Sequence, residues 1–277
     1  MLHPSKAVVR TGTPAEIARQ GRRTLAALAR PAGSFDASRY FRGDERLGFY
    51  NVGTPSLRRL GKAIARAHRQ RWTIDDAIAF AAILIEDRHL EAKGLGIEVL
   101  AVFRRDFEPR HLAIWKGWLA RNRAANWATT DTVCGMLIGP LLVAHPRLIP
   151  VVASWSRDRN LWVRRASAVG LLAPIRKASA LDEAYGVARA LHADKEDLIQ
   201  KAVGWMLREA GRVDASRLER YLRANGPTIP RTTLRYAIER FPPAKRNALL
   251  KATKSAAARG RARTARGSSP ILTSSNP

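Results

Sequence analysis

Apolar residues recur at helical spacing along almost the whole chain, and the gaps between periodic runs are short. The runs predict helices near residues 14–30, 54–70, 73–86, 88–104, 109–123, 127–144, 147–156, 160–174, 179–192, 195–211, 214–225 and 231–240. Start signals agree with several of them. Thr54-Pro55 reads as an N-cap followed by proline at the first helical position, where its missing N–H costs nothing. Thr73 precedes Asp75 and Asp76, acids that suit the positive end of a helix. Asp214 precedes Ser216 and Leu218 in the same manner. β-Branched residues are scattered and no hairpin turn separates alternating runs, so no strand is predicted. Short helices on short loops are the pattern of stacked helical pairs. The chain therefore reads as all-α, an α-solenoid of HEAT-like repeats whose concave face is long enough to hold a duplex. A compact helical bundle is the competing architecture. Residues 13–255 make the expected folded domain. Residues 1–12 and 256–277 carry Gly, Ser, Pro and basic residues without an apolar period and read as disordered.

Charge narrows the partner. The chain has 49 Lys and Arg against 23 Asp and Glu, a net charge of +26 over 277 residues. Such an excess implies a polyanion. Lys251, Lys254, Arg259, Arg261, Arg263 and Arg266 concentrate some of it in the tail, but the body still carries about +20. An arginine-rich composition without binding significance is the alternative. The single cysteine, Cys134, excludes an internal disulfide and a cysteine-based zinc site. The six histidines show no metal spacing. No apolar run approaches membrane-spanning length, the longest being Ala77 to Ile85, so no membrane partner is expected.

Three of the seven tryptophans stand at helical spacing from a charged residue. Trp127 and Asp131 are i, i+4 and share a helix face. Trp162 and Arg165 are i, i+3, with Arg164 beside them, and Trp205 and Arg208 are i, i+3. The last pair belongs to a stripe of Lys201, Trp205, Arg208 and Arg212, while Ala202, Val203, Met206 and Leu207 lie opposite and can pack inward. Three cations around one indole suit a phosphate and sugar track. Ordinary core packing and plain cation–π pairing are the competing readings. Asp131 is the most informative residue, because a carboxylate on a basic, DNA-facing surface repels phosphate. One explanation is structural, a helix-end acid paired with a neighbouring arginine. The other is chemical: cleavage of an N-glycosidic bond develops positive charge on the deoxyribose, which a carboxylate and an aromatic face both stabilise.

Four blocks resemble one family. Tyr40-Phe41-Arg42-Gly43 with Gly48-Phe49-Tyr50-Asn51-Val52-Gly53-Thr54-Pro55-Ser56-Leu57-Arg58-Arg59-Leu60 is similar to the N-terminal signature of the bacterial DNA alkylation repair (AlkD-like) proteins. Asn126-Trp127 to Asp131 resembles the family's Trp-x-x-x-Asp. Ser156 to Arg165 resembles its Ser-x-Asn-x-Trp-x-x-Arg block. Gln200-Lys201-Ala202-Val203-Gly204-Trp205-Met206-Leu207-Arg208-Glu209 resembles its Gln-Lys-Ala-x-Gly-Trp-x-Leu-Arg-Glu helix. The blocks stand in family order over about residues 36–240. The resemblance implies a curved HEAT-like stack that binds duplex DNA carrying alkylated bases as a monomer. It implies excision of cationic N3- and N7-alkylated purines by hydrolysis, without metal or cofactor, in the bacterial cytoplasm at the nucleoid. It implies that Trp127, Asp131 and Trp205 surround the lesion's deoxyribose, and that Tyr40, Arg165 and Arg208 contact DNA. The lesion would stay stacked, unlike the usual flipped base. Ala128 departs from the family's frequent acid after the tryptophan, and the basic tail is extra. Two other readings remain open: a non-catalytic HEAT-repeat nucleic-acid-binding protein, and a helical scaffold for an acidic protein.

Overall fold

The computed structural model describes residues 12–31, 33, 41 and 47–253. The expected disordered ends, apart from Gly12, lie outside them, as does Tyr40. By its internal contacts the chain divides into two compact units, Met1–Val187 and Ala188–Pro277. Both are helical, and an isolated Gly48–His89 bridge is the nearest approach to a sheet among the described residues.

The first unit begins with α1 (Pro14–Ala27), α2 (Thr54–His68), α3 (Ile74–Ile85) and α4 (Leu90–Leu100), packed on one another. α1 and α3 start alike. Thr13 and Thr73 accept from the backbone N–H three residues on, and Glu16 and Asp76 reach back to the cap, which satisfies two orphan donors at each end. Thr54 is not itself the cap: Gly53 holds that position and Thr54 is already helical, with Pro55 second. α3 and α4 are apolar nearly all round because both are enclosed by neighbours, burying Phe80, Leu84, Leu95, Ile97 and Leu100. The run expected as one helix over 88–104 is α-helical only to Leu100 and tightens to a 3-10 turn over Ala101–Asp106.

α5 (His111–Ala120) leads to α6 (Trp127–Val133), then a π-helical turn over Cys134–Ile138 and α7 (Gly139–Ala144). α6 to α7 run continuously, matching the single helix expected over 127–144. This stretch is long and apolar enough to span a membrane, with mean hydropathy 1.3, which corrects the sequence reading that no run comes close. It is a core element here, half buried inside the protein and carrying the charged Asp131. Next come α8 (Ile149–Ser154), flanked by 3-10 turns, α9 (Leu161–Val169) and α10 (Leu172–Arg176). α6 packs on α9 and α7 on α10. Gly139 permits the second contact, since a Cβ there would lie 2.9 Å from that of Ala173 and 3.1 Å from the Cys134 carbonyl.

α11 (Leu181–Ala190) spans the division between the units. The second unit contains α12 (Asp197–Val213), α13 (Ala215–Asn225), α14 (Arg231–Ala237) and α15 (Pro243–Ala252). α12 buries Ala202, Val203, Met206 and Leu207, the face predicted to turn inward. It lies so close to α14 that a Cβ on Gly204 would collide with Tyr236 and with the Thr233 carbonyl at 2.8 Å. Only glycine fits between these helices. Asp214 caps α13 by accepting from the Arg217 N–H at 2.8 Å, as its position predicts. α15 has no counterpart in the sequence reading.

Candidate active site

Two asparagines set the geometry. Asn126 caps α6, its Oδ1 accepting from the Thr129 N–H at 2.8 Å, and Thr130 Oγ1 donates to the Ala124 carbonyl at 2.8 Å. Trp127 is thereby the first residue of α6, with Asp131 one turn later on the same face. Asn160 caps α9, accepting from the N–H groups of Trp162 at 2.8 Å and Val163 at 3.3 Å. Its Nδ2 donates to Asn122 Oδ1 at 2.9 Å and ties α9 to the turn after α5. Asn122 adopts positive φ (58°), a conformation asparagine tolerates.

These caps bring Asp131 and Arg165 together, each the fifth residue of its helix. Arg165 Nε donates to Asp131 Oδ1 and Nη2 to Oδ2, both at 2.8 Å. A bidentate fork of this kind fixes the plane of the carboxylate as well as its position. The pair is largely enclosed, with side-chain exposures of 6% for Arg165 and 16% for Asp131. Burial lifts the Asp131 carboxyl above its ordinary value, against the downward pull of the Arg165 hydrogen bonds and charge. Below it, burial and then the Asp131 charge push the Cys134 thiol well up, so this cysteine is an inert core residue.

Trp127 is half-buried, and Phe41 stacks on its indole with 5.4 Å between centroids and 7° between planes. Phe41 in turn tilts on Phe49 at 5.5 Å. The backbone following Phe49 is held by a buried acid: Glu91 accepts from the N–H groups of Tyr50 at 3.0 Å and Val52 at 3.2 Å. Tyr50 stacks on His89 at 4.0 Å, and Asp87 holds His89 Nδ1 at 2.8 Å and Arg22 Nε at 2.7 Å. The Gly48–Gly53 block is thus a frame that presents Phe49, and through it Phe41, to Trp127.

Of the other predicted residues, Trp162 and Arg164 lie on α9, and Lys201, Trp205, Arg208 and Arg212 belong to the second unit. The Arg165 guanidinium engages Asp131, on a different helix from Trp162. Arg164 folds back, donating to the carbonyls of Asp158 at 3.0 Å and Arg159 at 2.8 Å. In the second unit Trp205 is half-buried on α12, and the cations of its stripe have acidic neighbours. Lys201 meets Asp197 at 2.6 Å, Arg208 pairs with Glu239, and Arg212 meets Glu209 at 3.3 Å. Among the described residues no group of three or more His, Cys, Asp or Glu side chains could hold a metal ion.

The sequence matches a known family. A family model described as DNA alkylation repair enzyme matches residues 22–241, well over half of the chain. The chain belongs to that family. A solved structure, a predicted DNA alkylation repair enzyme from Enterococcus faecalis, aligns with a TM-score of 0.68 at 17% identity, covering 78% of this chain and 97% of that one. At that identity the likeness bears on the helical fold alone. No curated protein matches the chain.

In this alkylation repair protein the sequence reading overlooked Phe41, Asn126, Asn160 and Glu91 as site-building residues. The asparagines carried a usable signal, since Asn126 directly precedes a predicted helix and Asn160 opens one. Phe41 and Glu91 carried none, because a stacking partner 86 residues away and a carboxylate serving two distant N–H groups are tertiary facts.

Proposed function

We propose that this protein is a DNA glycosylase that hydrolyses the N-glycosidic bond of cationic N3- and N7-alkylated purines in duplex DNA. The observation that carries the reading is Asp131, held rigidly by the Arg165 fork one helical turn from a half-buried tryptophan. An N3- or N7-alkylated purine already bears positive charge, so the C1′–N bond breaks with its electron pair neutralising the base, and no general acid is required. Positive charge passes to the deoxyribose. A preorganised carboxylate opposes it, and water adds at C1′ and loses a proton. The fork occupies one lone-pair direction on each Asp131 oxygen and leaves the others available. The Trp127 face adds the electron-rich side of an indole. In this proposal the helices stack as a monomeric HEAT-like solenoid with the duplex in its concave face. Trp205 joins the sugar-facing group, while Tyr40, Trp162, Arg164, Lys201, Arg208 and Arg212 contact the backbone of the DNA; Arg165, expected from sequence to do the same, holds Asp131 instead.

The test is single-turnover incubation with a duplex containing 7-methylguanine, with the free base quantified. The wild type should release base faster than spontaneous depurination, and Asp131→Asn should fall back toward the spontaneous rate. Equal rates in the two proteins would remove Asp131 from the chemistry. One observation favours a second reading: the fork satisfies both Asp131 oxygens, as a purely structural ion pair would. A protein that binds the duplex tightly and releases no base would be that non-catalytic binder.

A further inference from the structure

A cavity of about 780 Å³ opens at the other end of the α6–α7 rod, formed by α7, α10 and the 3-10 turn after α4. Thirteen residues separate Asp131 from Ala144, roughly 20 Å at a helical rise of 1.5 Å, so the cavity is remote from the Asp131–Arg165 fork. Its floor is apolar, built from Phe107, Val143 and Ala173 among others. Its rim is cationic, with Arg104, Arg105 and Lys177 all exposed. No acid lines it. The two nearest acids in sequence are engaged with other cations, Asp106 with Arg69 at 2.9 Å and Glu108 with Arg110 at 2.9 Å. Val143 keeps 39% of its surface exposed, and Val102 beside the rim keeps 40%.

We propose that this cavity is a docking site for an acidic peptide segment of a partner protein, one that carries an apolar side chain among its carboxylates. Charge complementarity selects the acid, since cations rise on two sides of an opening that contains no carboxylate. The apolar floor selects a protein ligand over a nucleic acid. A duplex backbone can satisfy the arginines, but it offers nothing to bury against Val143 and Ala173, whereas an aliphatic or aromatic side chain flanked by carboxylates covers both. The site is a shallow, solvent-facing groove, which suits a peptide laid across it better than an enclosed small ligand. Helix C-termini account for some of the basic residues here, because cations near the last carbonyls are favourable. That effect does not account for the open apolar floor between them.

The experiment uses the full chain and fluorescence anisotropy with a labelled peptide, Asp-Asp-Glu-Asp-Leu-Phe with a free C-terminus. Its comparison is the same peptide with Leu and Phe replaced by glycine. The expected result is saturable micromolar binding that weakens at least tenfold for the glycine peptide. It should weaken at least tenfold again in Arg104→Glu/Lys177→Glu, and similarly in Ala144→Trp, which closes the mouth without changing charge. Binding of an undamaged duplex by both variants should stay within about twofold of wild type, and circular dichroism should confirm their fold. Equal affinity for the two peptides would reduce the cavity to a nonspecific basic surface. A parallel loss of duplex binding would assign it to the DNA interface. Absence of saturable peptide binding below millimolar concentration would overturn the proposal outright. Release of methylated base by the same variants at the wild-type rate would separate this outcome from any failure of the glycosylase reading.

Discussion

The α6–α9 contact and the outer stripe of α12 both pair acids with bases, but the pairs differ in burial and in reach. Asp131 and Arg165 are enclosed, bidentate and joined across 34 residues. On α12, Lys201 and Asp197 are i, i+4 with exposures of 42% and 61%, and Arg212 reaches back to Glu209 at i, i+3 while remaining 56% exposed. An exposed pair such as Lys201–Asp197 is worth about 0–1 kcal/mol and exchanges partners readily. An enclosed fork does not, because opening it strands a charge in low dielectric. The first arrangement therefore fixes one carboxylate in one place. The second keeps Lys201 and Arg212 in solvent, where a phosphate can replace a carboxylate, while Arg208 is only 19% exposed beside Glu239. In the proposed function these are the needs of chemistry and of sequence-independent binding, respectively.

The largest break in this contrast is Asp131→Asn. Excision of 7-methylguanine in a single-turnover assay should fall roughly a hundredfold or more, about 3 kcal/mol, from loss of one preorganised electrostatic group. The near-isosteric change would also leave folding intact if Asp131 were an isolated surface acid. The fork alters that expectation, because Arg165 would face a neutral amide. Thermal melting should show a loss of about 3–5 kcal/mol. Duplex binding measured below the melting range should hold or tighten. Next comes Arg165→Gln, which keeps the carboxylate but removes its holder. Excision at neutral pH should drop roughly tenfold to a hundredfold from misplacement alone. The sign of the pH effect follows from the opposing influences on Asp131: burial raises its carboxyl and Arg165 lowers it. Without the guanidinium, burial acts unopposed. An acid limb of the pH–rate profile set by this carboxyl, which burial already raises, should therefore move to higher pH. An acid limb unmoved by Arg165→Gln would show that some other group titrates there.

These predictions also mark what could be read from the sequence. The i, i+4 placement of Trp127 and Asp131 and the two faces of α12 were legible, because helical periodicity is a local property. The identity of the fork was not. Arg165 was paired in sequence with Trp162, three residues away, and its actual partner lies on another helix. Spacing cannot distinguish a cation over an indole from a cation aimed across an interface. The long run over 127–144 was legible in extent, but not the π turn at Cys134–Ile138 within it. That turn widens the helix where Gly139 lets α7 approach α10, a demand set by packing rather than by local preference. α15 was missed for another reason. Pro242-Pro243 ends the preceding pattern, and of α15 only Leu249 is buried, too little apolar period to recognise.

Smaller effects belong to the α12 stripe. Arg208→Ala and Lys201→Ala should each weaken duplex binding without regard to sequence, since phosphate contacts carry no base information. Each should make the dependence of log affinity on log salt shallower by about one unit. Arg208 must first exchange Glu239 for a phosphate, so its intrinsic loss should be the smaller where salt is high. Titrations at several salt concentrations with damaged and undamaged duplexes would decide. An unchanged slope for both variants would place this face away from DNA.

The smallest effect sharpens the contrast most directly. Asp197 lies in the first turn of α12 and meets Lys201 at 2.6 Å, with 61% of its side chain exposed. If Lys201 serves a phosphate, Asp197 competes with that phosphate, and Asp197→Asn should tighten duplex binding about twofold to threefold at low salt, in line with the worth of an exposed pair. The gain should fade as salt rises, because screening weakens the competing acid and the phosphate contact together. Stability should move the opposite way. An anion in the first turn interacts favourably with the helix dipole, so its loss should lower stability by about 0.3–1 kcal/mol. Opposite signs for binding and folding distinguish a tuning acid from a structural one. Were Asp197→Asn to melt earlier and bind the duplex no better at the lowest salt, Lys201 and Asp197 would be a helix-stabilising pair and nothing more, and the track would shorten to Trp205, Arg208 and Arg212.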